Sequence, residues 1–251
     1  MIALRLIPGL LVAGACCAAA AHAAPARLYI TTETSAPASM REGDKIIGIG
    51  TDKVREIMAR SGVAYQIELF PWKRAYAIAE QRPDGCVYST ARTPERETLF
   101  KWIGPTDEGE WVLLGRADSG LHLKTLEDAR HLRIGTYHGD ARDEFLRARG
   151  FQVDPAQNDM INPQKLLLGR IDLWAASLRR GGAVLEQYGW ADKIVPLLVF
   201  NRVKFYLACN RALPDALVEK MNAAADAMFK DGTMKRIERK YEHWADPKPV
   251  R

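Results

Sequence analysis

An α/β fold is predicted by three features of the chain. Short apolar runs with strand character alternate with stretches whose apolar residues recur at helical spacing, and they do so along nearly the whole sequence. The 251 residues are 47% hydrophobic, which suits one large or two small domains with cores of their own. No repeat, low-complexity tract or spare domain interrupts the pattern.

Residues 1–23 stand outside it and read as a targeting segment. Arg5 supplies the positive start, residues 6–20 the apolar stretch, and Ala21-His22-Ala23 an A-x-A cleavage site. The apolar run is short for a membrane span and contains Pro8 and Gly9. Cys16 and Cys17 raise the idea of a lipoprotein. However, Ala13-Gly14-Ala15 lacks the Leu that usually opens a lipobox, so export to the periplasm with cleavage near Ala23 is the expectation.

Net charge is +5, with Lys and Arg interleaved among Asp and Glu and no basic block or aromatic–basic repeat. That pattern is a solvated surface, tilted at most toward anionic ligands, and it argues against a nucleic-acid partner. Export leaves Cys86 and Cys209 in an oxidising compartment, where a disulfide is allowed. Both sit in strand-like apolar runs, and because disulfide geometry is demanding they are expected to be two buried small hydrophobes.

In order, residues 27–32 (RLYITT) form a strand that breaks at Glu33-Thr34-Ser35-Ala36-Pro37. Residues 50–62 form a helix with Thr51 as cap, Val54, Ile57 and Met58 on one face, and Gly62 at its end. The preceding Gly48-Ile49-Gly50 lacks the third Gly of a dinucleotide fingerprint. Residues 64–70 alternate as a strand, and Pro71 starts a helix whose first residues are Trp72, Lys73 and Arg74. Residues 110–114 and 132–137 read as strands, with a short helix beginning at Thr125 between them. Asp140 caps a helix that ends near Gly150 and turns Phe145 and Leu146 inward. Asn162 caps the next helix, Pro163 opens it, Gly169-Arg170 ends it, and residues 171–176 form a strand. Residues 193–201 and 204–210 read as two more strands. Residues 214–229 are an amphipathic helix with Leu217, Met221, Ala225 and Met228 on one face. Asp231-Gly232-Thr233 then breaks and restarts a helix carrying Ile237, Tyr241 and Trp244.

The most informative stretch is residues 84–105, DGCVYSTARTPERETLFKWIGP. Cys86-Val87-Tyr88-Ser89 has strand character, and Thr93-Pro94-Glu95-Arg96 reads as a helix start with Thr93 as N-cap. Backbone N–H groups and the Arg96 guanidinium would converge there on an anion. Taken alone, the same residues also describe a surface Arg on a first turn.

D-x-x-x-x-S-x-x-x-T-x-E-R, followed by Phe100 and Gly104-Pro105, resembles the signature of family 3 extracellular solute-binding proteins. These are periplasmic amino-acid-binding proteins of the type II two-lobed fold. The resemblance runs on through G-x-x-x-D at Gly48–Asp52, L-x-x-G-R-x-D ending at Asp172, and the closing D-G-T-x-x-x-I-x-x-K-Y. It implies lobe 1 from residues 24–110 and 200–251, lobe 2 from residues 111–199, and a ligand cleft between them. Cys86 and Cys209 would then lie on neighbouring strands of one lobe, where a bridge could form.

On this resemblance Arg96 grips the ligand's carboxylate, and Ser89 and Ala91 offer hydroxyl and backbone groups. Trp72 stands where a ligand side chain is stacked, with lobe packing as its alternative role. Glu33 lies in the ligand loop after the first strand, although Ser35 and Ala38 occupy a region where members often place an aromatic. From the second lobe His138, Gly139 and Asp140 would meet the ligand at a helix N-terminus, where Asp140 repels an anion unless it caps its own helix. The place from which many amino-acid binders hold the ligand ammonium with an Asp is Ser177 here. An α-amino acid is thereby put in doubt unless Asp140 or Glu33 substitutes.

The resemblance thus implies a monomer that captures a small carboxylate-bearing solute, an amino acid being one case, for an inner-membrane ABC permease or a sensor. No cofactor, metal or catalytic residue is expected, and a lone His138 has no ligand-spaced partner for a metal site. The alternative on the same fold is a lyase of cyclohexadienyl dehydratase type, with Glu33, Asp140 and His138 as acid–base candidates. No pair among them has a spacing that identifies chemistry.

Overall fold

A computed structural model describes residues 27–242 of the protein, apart from the side chains of Arg179, Arg180 and Ala183. The expected leader and Trp244 lie outside the described residues. The chain begins with β1 (Leu28–Thr32), β2 (Met40–Glu42), β3 (Lys45–Ile47), α1 (Ile49–Ser61), β4 (Tyr65–Leu69), α2 (Trp72–Gln81) and β5 (Gly85–Ala91). It continues with β6 (Phe100–Arg116), β7 (Ile134–Tyr137), α3 (Ala141–Ala148), β8 (Val153–Ala156), α4 (Asn162–Leu167) and β9 (Leu173–Ser177). It closes with α5 (Leu178–Gln187), β10 (Ile194–Asn210), α6 (Asp215–Lys230) and α7 (Thr233–Arg239).

Eight strands form one mixed sheet in the order β4-β1-β5-β10-β6-β9-β7-β8, while β2 and β3 make a separate hairpin. β6 and β10 are 17 residues each and pair antiparallel from end to end, Phe100 opposite Asn210 and Arg116 opposite Ile194. At one end of the sheet β4, β1 and β5 are parallel neighbours. At the other, β9 pairs antiparallel with β6 and parallel with β7, and β7 pairs parallel with β8. The two long strands therefore carry the chain out from the first end to the second and back.

Each end has its own apolar core. At the first, Val54, Ile57 and Met58 of α1 and Met221 and Met228 of α6 pack on Ile30 of β1. At the second, the two-residue period of a strand divides β6 between two cores. Val112 and Leu114 face Trp174, Leu166 and Val184, whereas Leu113 faces Ile134, Leu146 and Phe151.

Several local expectations change in the tertiary structure. β6 runs straight through Gly104-Pro105, where a turn was expected. Its register against β10 slips between Phe205 and Leu207, opposite that dipeptide, so Pro105 sits where no ladder N–H is required. The two strands expected around residue 202 are likewise one, β10. Residues 94–99 form successive turns instead of a helix, with the N–H groups of Arg96, Glu97 and Leu99 bonded to the carbonyls of Thr93, Pro94 and Arg96.

Thr51 lies inside α1, where its hydroxyl meets Ile47 O and the Tyr88 hydroxyl, and Gly48 takes the cap position. Asn162 lies inside α4 behind Ile161 and donates to Thr136 O and Asp159. β8 and α5 carry Pro155 and Gly181-Gly182, which mask their character in the sequence. Asp140 caps α3 as expected, accepting from the Arg142 N–H at 2.9 Å. Cys86 and Cys209 are not two free buried thiols but a disulfide. They are register partners on antiparallel strands, which brings their Cβ atoms within bridging range.

Candidate ligand-binding site

A cavity of about 580 Å³ opens where the two ends of the sheet meet. Its position follows from the topology, because ligands in such sheets lie beyond the carboxyl ends of parallel strands. Glu33 follows β1, Trp72 follows β4, and Ser89 and Ala91 end β5. Tyr137 ends β7 and Ser177 ends β9.

The floor is the middle of the two long strands. Glu108 faces Lys204 and Glu110 faces Arg202 in register, as ion pairs at 3.7 and 2.9 Å. Asp107 lies 3.6 Å from Lys53, which is buried and also donates to Thr106 O at 2.7 Å and Glu238 at 2.6 Å. This lysine ties the crossing strand to α1 and α7.

On the first wall, Ser89 has φ 57, a left-handed conformation that an L side chain holds only at a cost of about 1–3 kcal/mol. Strain of this kind clusters where a side chain has been aimed at a ligand. Gly50 approaches it so closely that an added Cβ would fall 2.8 Å from Ser89 Oγ.

The two walls are joined by direct hydrogen bonds. Tyr137 OH donates to Glu33 Oε1 at 2.9 Å, and Trp72 Nε1 donates to Gly139 O at 2.7 Å. Arg96 donates from Nη2 to the same carbonyl at 3.0 Å, and from Nε and Nη2 to the Glu144 carboxylate at 2.8 and 2.9 Å. Its guanidinium lies over the Tyr76 ring, 4.8 Å from the centroid. Among the described residues, Arg96 Nη1 makes no hydrogen bond. Burial pushes the Arg96 pKa down, but the Glu144 hydrogen bonds and charge outweigh it and hold it above the ordinary value. Burial also pushes the Tyr76 phenol up to about 12, against the pull of Arg96.

Asp140 is neutralised within its own turn. Arg142 Nε donates to it at 2.6 Å, and although burial raises its pKa, the charge of Arg142 brings it below the usual carboxylate range. The repulsion of an anion that its charge suggests is thus offset by a buried cation. His138 is half-buried, and neither it nor Gly139 lines the cavity; Gly139 contributes its carbonyl to the bonds between the walls. The other sequence candidates, Glu33, Trp72, Ser89, Ala91, Arg96, Asp140 and Ser177, all face it.

Sequence reasoning passed over Trp111, Tyr137, Arg142 and Phe205, which also line the cavity. Trp111 and Phe205 sit in apolar strand patterns and read as core, and Tyr137 reads only as the last residue of a strand. Trp111 does pack as core on its other side, against Phe145 and Phe200 at 5.6 and 6.0 Å between centroids. Among the described residues no cluster of His, Cys, Asp and Glu could hold a metal ion, and no helix is long and apolar enough to cross a membrane. A guanidinium edge, hydroxyls and aromatic rings around one concave volume are the means to hold a small organic molecule.

An α/β protein of two lobes joined by paired long strands, with the cavity between them, has the architecture of a periplasmic binding protein. The chain belongs to the bacterial extracellular solute-binding proteins, family 3, whose sequence pattern matches residues 28–243. Among solved structures it is similar to a histidine kinase sensor domain with similarity to periplasmic binding proteins, at TM-score 0.78 and 14% identity over 86% of this chain and 95% of the other. It is also similar to ArtJ, the arginine-, lysine-, histidine-binding protein of Geobacillus stearothermophilus, at TM-score 0.74 and 17% identity over 88% and 97%. An ancestral arginine-binding protein bound to arginine gives TM-score 0.73 and 20% identity over 86% and 98%. At these identities the likeness is one of fold. Among curated protein sequences none matches the chain.

Proposed function

We propose that the protein is exported to the periplasm, loses its leader near Ala23, and captures a small carboxylate-bearing solute between its lobes. Lobe 1 takes residues 24–110 and 200–251 and lobe 2 residues 111–199. The observation that carries this reading is the meeting, in one cavity, of the Arg96 guanidinium with Ser89 from lobe 1 and Ser177 from lobe 2. The Nη1 side of Arg96 and the Ser89 hydroxyl receive the carboxylate, and Trp72, Trp111 and Phe205 cover the apolar part of the solute. An α-amino acid falls within the class; its ammonium group would turn to Glu33, the carboxylate bound to the Tyr137 hydroxyl. The loaded monomer hands its solute to a membrane permease, or reports it to a sensor. Structures similar in fold include the substrate binding protein of an amino acid ABC transporter and a histidine kinase sensor domain, one for each of those two uses.

The reading is of binding without turnover. Asp140 is held ionised by Arg142, and His138 stands outside the lining, so neither supports a lyase step; the third acid–base candidate, Glu33, lines the cavity and accepts from the Tyr137 hydroxyl. A thermal-shift screen of matched carboxylates and their amides tests the proposal, since a solute that binds only the folded state raises Tm with its affinity and excess. Stabilisation by one carboxylate family and not by its amides is the expected result. Equal stabilisation by both members of each pair would remove the carboxylate from the proposal, and turnover of prephenate or arogenate would replace binding with catalysis.

A further inference from the structure

Glu144 does not line the cavity, yet from α3 it takes both Nε and Nη2 of Arg96 across the interlobe boundary. Arg96 is a partition. One side of it faces the cavity, and the other faces a shallow outer hollow shared with Tyr76, Leu99, Glu144 and Arg147. The Arg96 side chain is 1% exposed and its guanidinium lies over the Tyr76 ring, whereas Glu144 retains 37% exposure. The two partners therefore differ in what separation does to them. Glu144 already stands half in water, while Arg96 is buried with its Nε and Nη2 bonded to the second lobe's Glu144 and Gly139.

We propose that Glu144 is a latch: it sets solute affinity by holding the lobes shut on Arg96 from outside the cavity, without touching the solute. It is a positioning residue. The same guanidinium serves two masters, its Nε and Nη2 edge the latch and its Nη1 the cavity. Removing the Glu144 charge leaves a buried cation without its counter-charge in the closed form, and water relieves that cation when the lobes part. The equilibrium then shifts toward the open form. Affinity for any solute held by the closed form falls by the same factor as the closed population. Trp72 to Gly139 O, at 2.7 Å, and Arg149 to Glu95, at 3.7 Å, flank the latch and act in the same direction.

This inference rests on the two-lobe division and the solute reading above. Its test is Glu144→Gln beside wild type, with Glu97→Gln, whose partner Arg92 lies in the same lobe, as a neighbouring-charge control and a melt to establish that each is folded. Without added solute, small-angle scattering should give Glu144→Gln a larger radius of gyration than wild type or the control. A solute found in the carboxylate and amide screen should bind it about tenfold more weakly, through a faster dissociation rate at an unchanged association rate. A radius of gyration equal to wild type overturns the latch. An unchanged affinity for that solute also overturns it, because closure would then not depend on Glu144. The scattering arm reads out even where no solute binds wild type, so failure of the solute reading and failure of the latch are told apart.

Discussion

Cys86 and Cys209 stand directly opposite each other on β5 and β10 and are covalently joined across a sequence separation of 123 residues. The bridge ties the strand that delivers Ser89 and Ala91 to the strand that returns from the second lobe. Closing so long a loop removes freedom from the unfolded chain, and loss of a native bridge of this kind costs about 2–5 kcal/mol. The double variant Cys86→Ala, Cys209→Ala should lower the urea midpoint accordingly, with the slope of the transition serving as a check on the unfolded state. An unchanged midpoint would mean that packing of the buried sulfurs, and not the covalent link, stabilises this end of the sheet.

Ser89 should show a trade between stability and binding. Glycine adopts its φ of 57 without steric cost, so Ser89→Gly is expected to stabilise the fold by about 0.5–1 kcal/mol after the added unfolded-chain entropy is deducted. The same change removes a hydroxyl from the cavity wall and should weaken solute binding severalfold. Calorimetric melting and titration of one protein preparation read both. A variant that is stabilised and binds as before would show the strain to be incidental to the site.

Trp72→Phe keeps an aromatic ring at the start of α2 and deletes only the indole N–H that reaches Gly139 O. One such bond contributes about 1 kcal/mol net, so solute affinity should fall roughly fivefold with little change in Tm. A loss of a hundredfold or more would show that the solute needs the larger indole ring itself, beyond the bond to Gly139.

Acid should act through Asp140. Its carboxyl is held below the ordinary value because Arg142 outweighs the effect of burial, so the folded protein binds fewer protons than the unfolded chain between the two values. The resulting stability is fully present above the unfolded pKa of about 4 and is lost as pH falls toward the folded one. Urea midpoints should drop steeply below about pH 4 for wild type. Asp140→Asn should flatten that slope while lowering stability at neutral pH, where it leaves Arg142 without its nearest counter-charge. Parallel acid slopes for the two proteins would assign the linkage to other carboxylates.

Much of the site was legible because strand ends are local features. The runs ending near Thr32, Leu69, Ala91, Tyr137 and Ser177 are marked by a change from apolar alternation to Pro, Gly or small polar residues, and parallel strands bring those ends together. Local turn and cap signals reached Arg96 and Asp140 in that way, whereas Glu33, Trp72, Ser89 and Ser177 came from the family resemblance. Trp111 and Phe205 were reached by neither, since a residue in the middle of a long strand looks like core whether it faces a core or a cleft. Gly104-Pro105 misled for a similar reason: a turn signal in the sequence became a bulge, because β10 lay alongside to continue the pairing.

The sequence by itself determined the α/β alternation, the helix cap at Asp140, the order of the elements and, through its motifs, the family. These depend on residues within a few positions of one another, where periodicity and capping act. Tertiary structure alone decided that Cys86 meets Cys209, that Arg142 neutralises Asp140 against Asp159, and that Arg96 receives Glu144 from 48 positions away. Register, burial and the approach of one lobe to the other select those partners, and none of the three is a property of a short stretch of chain.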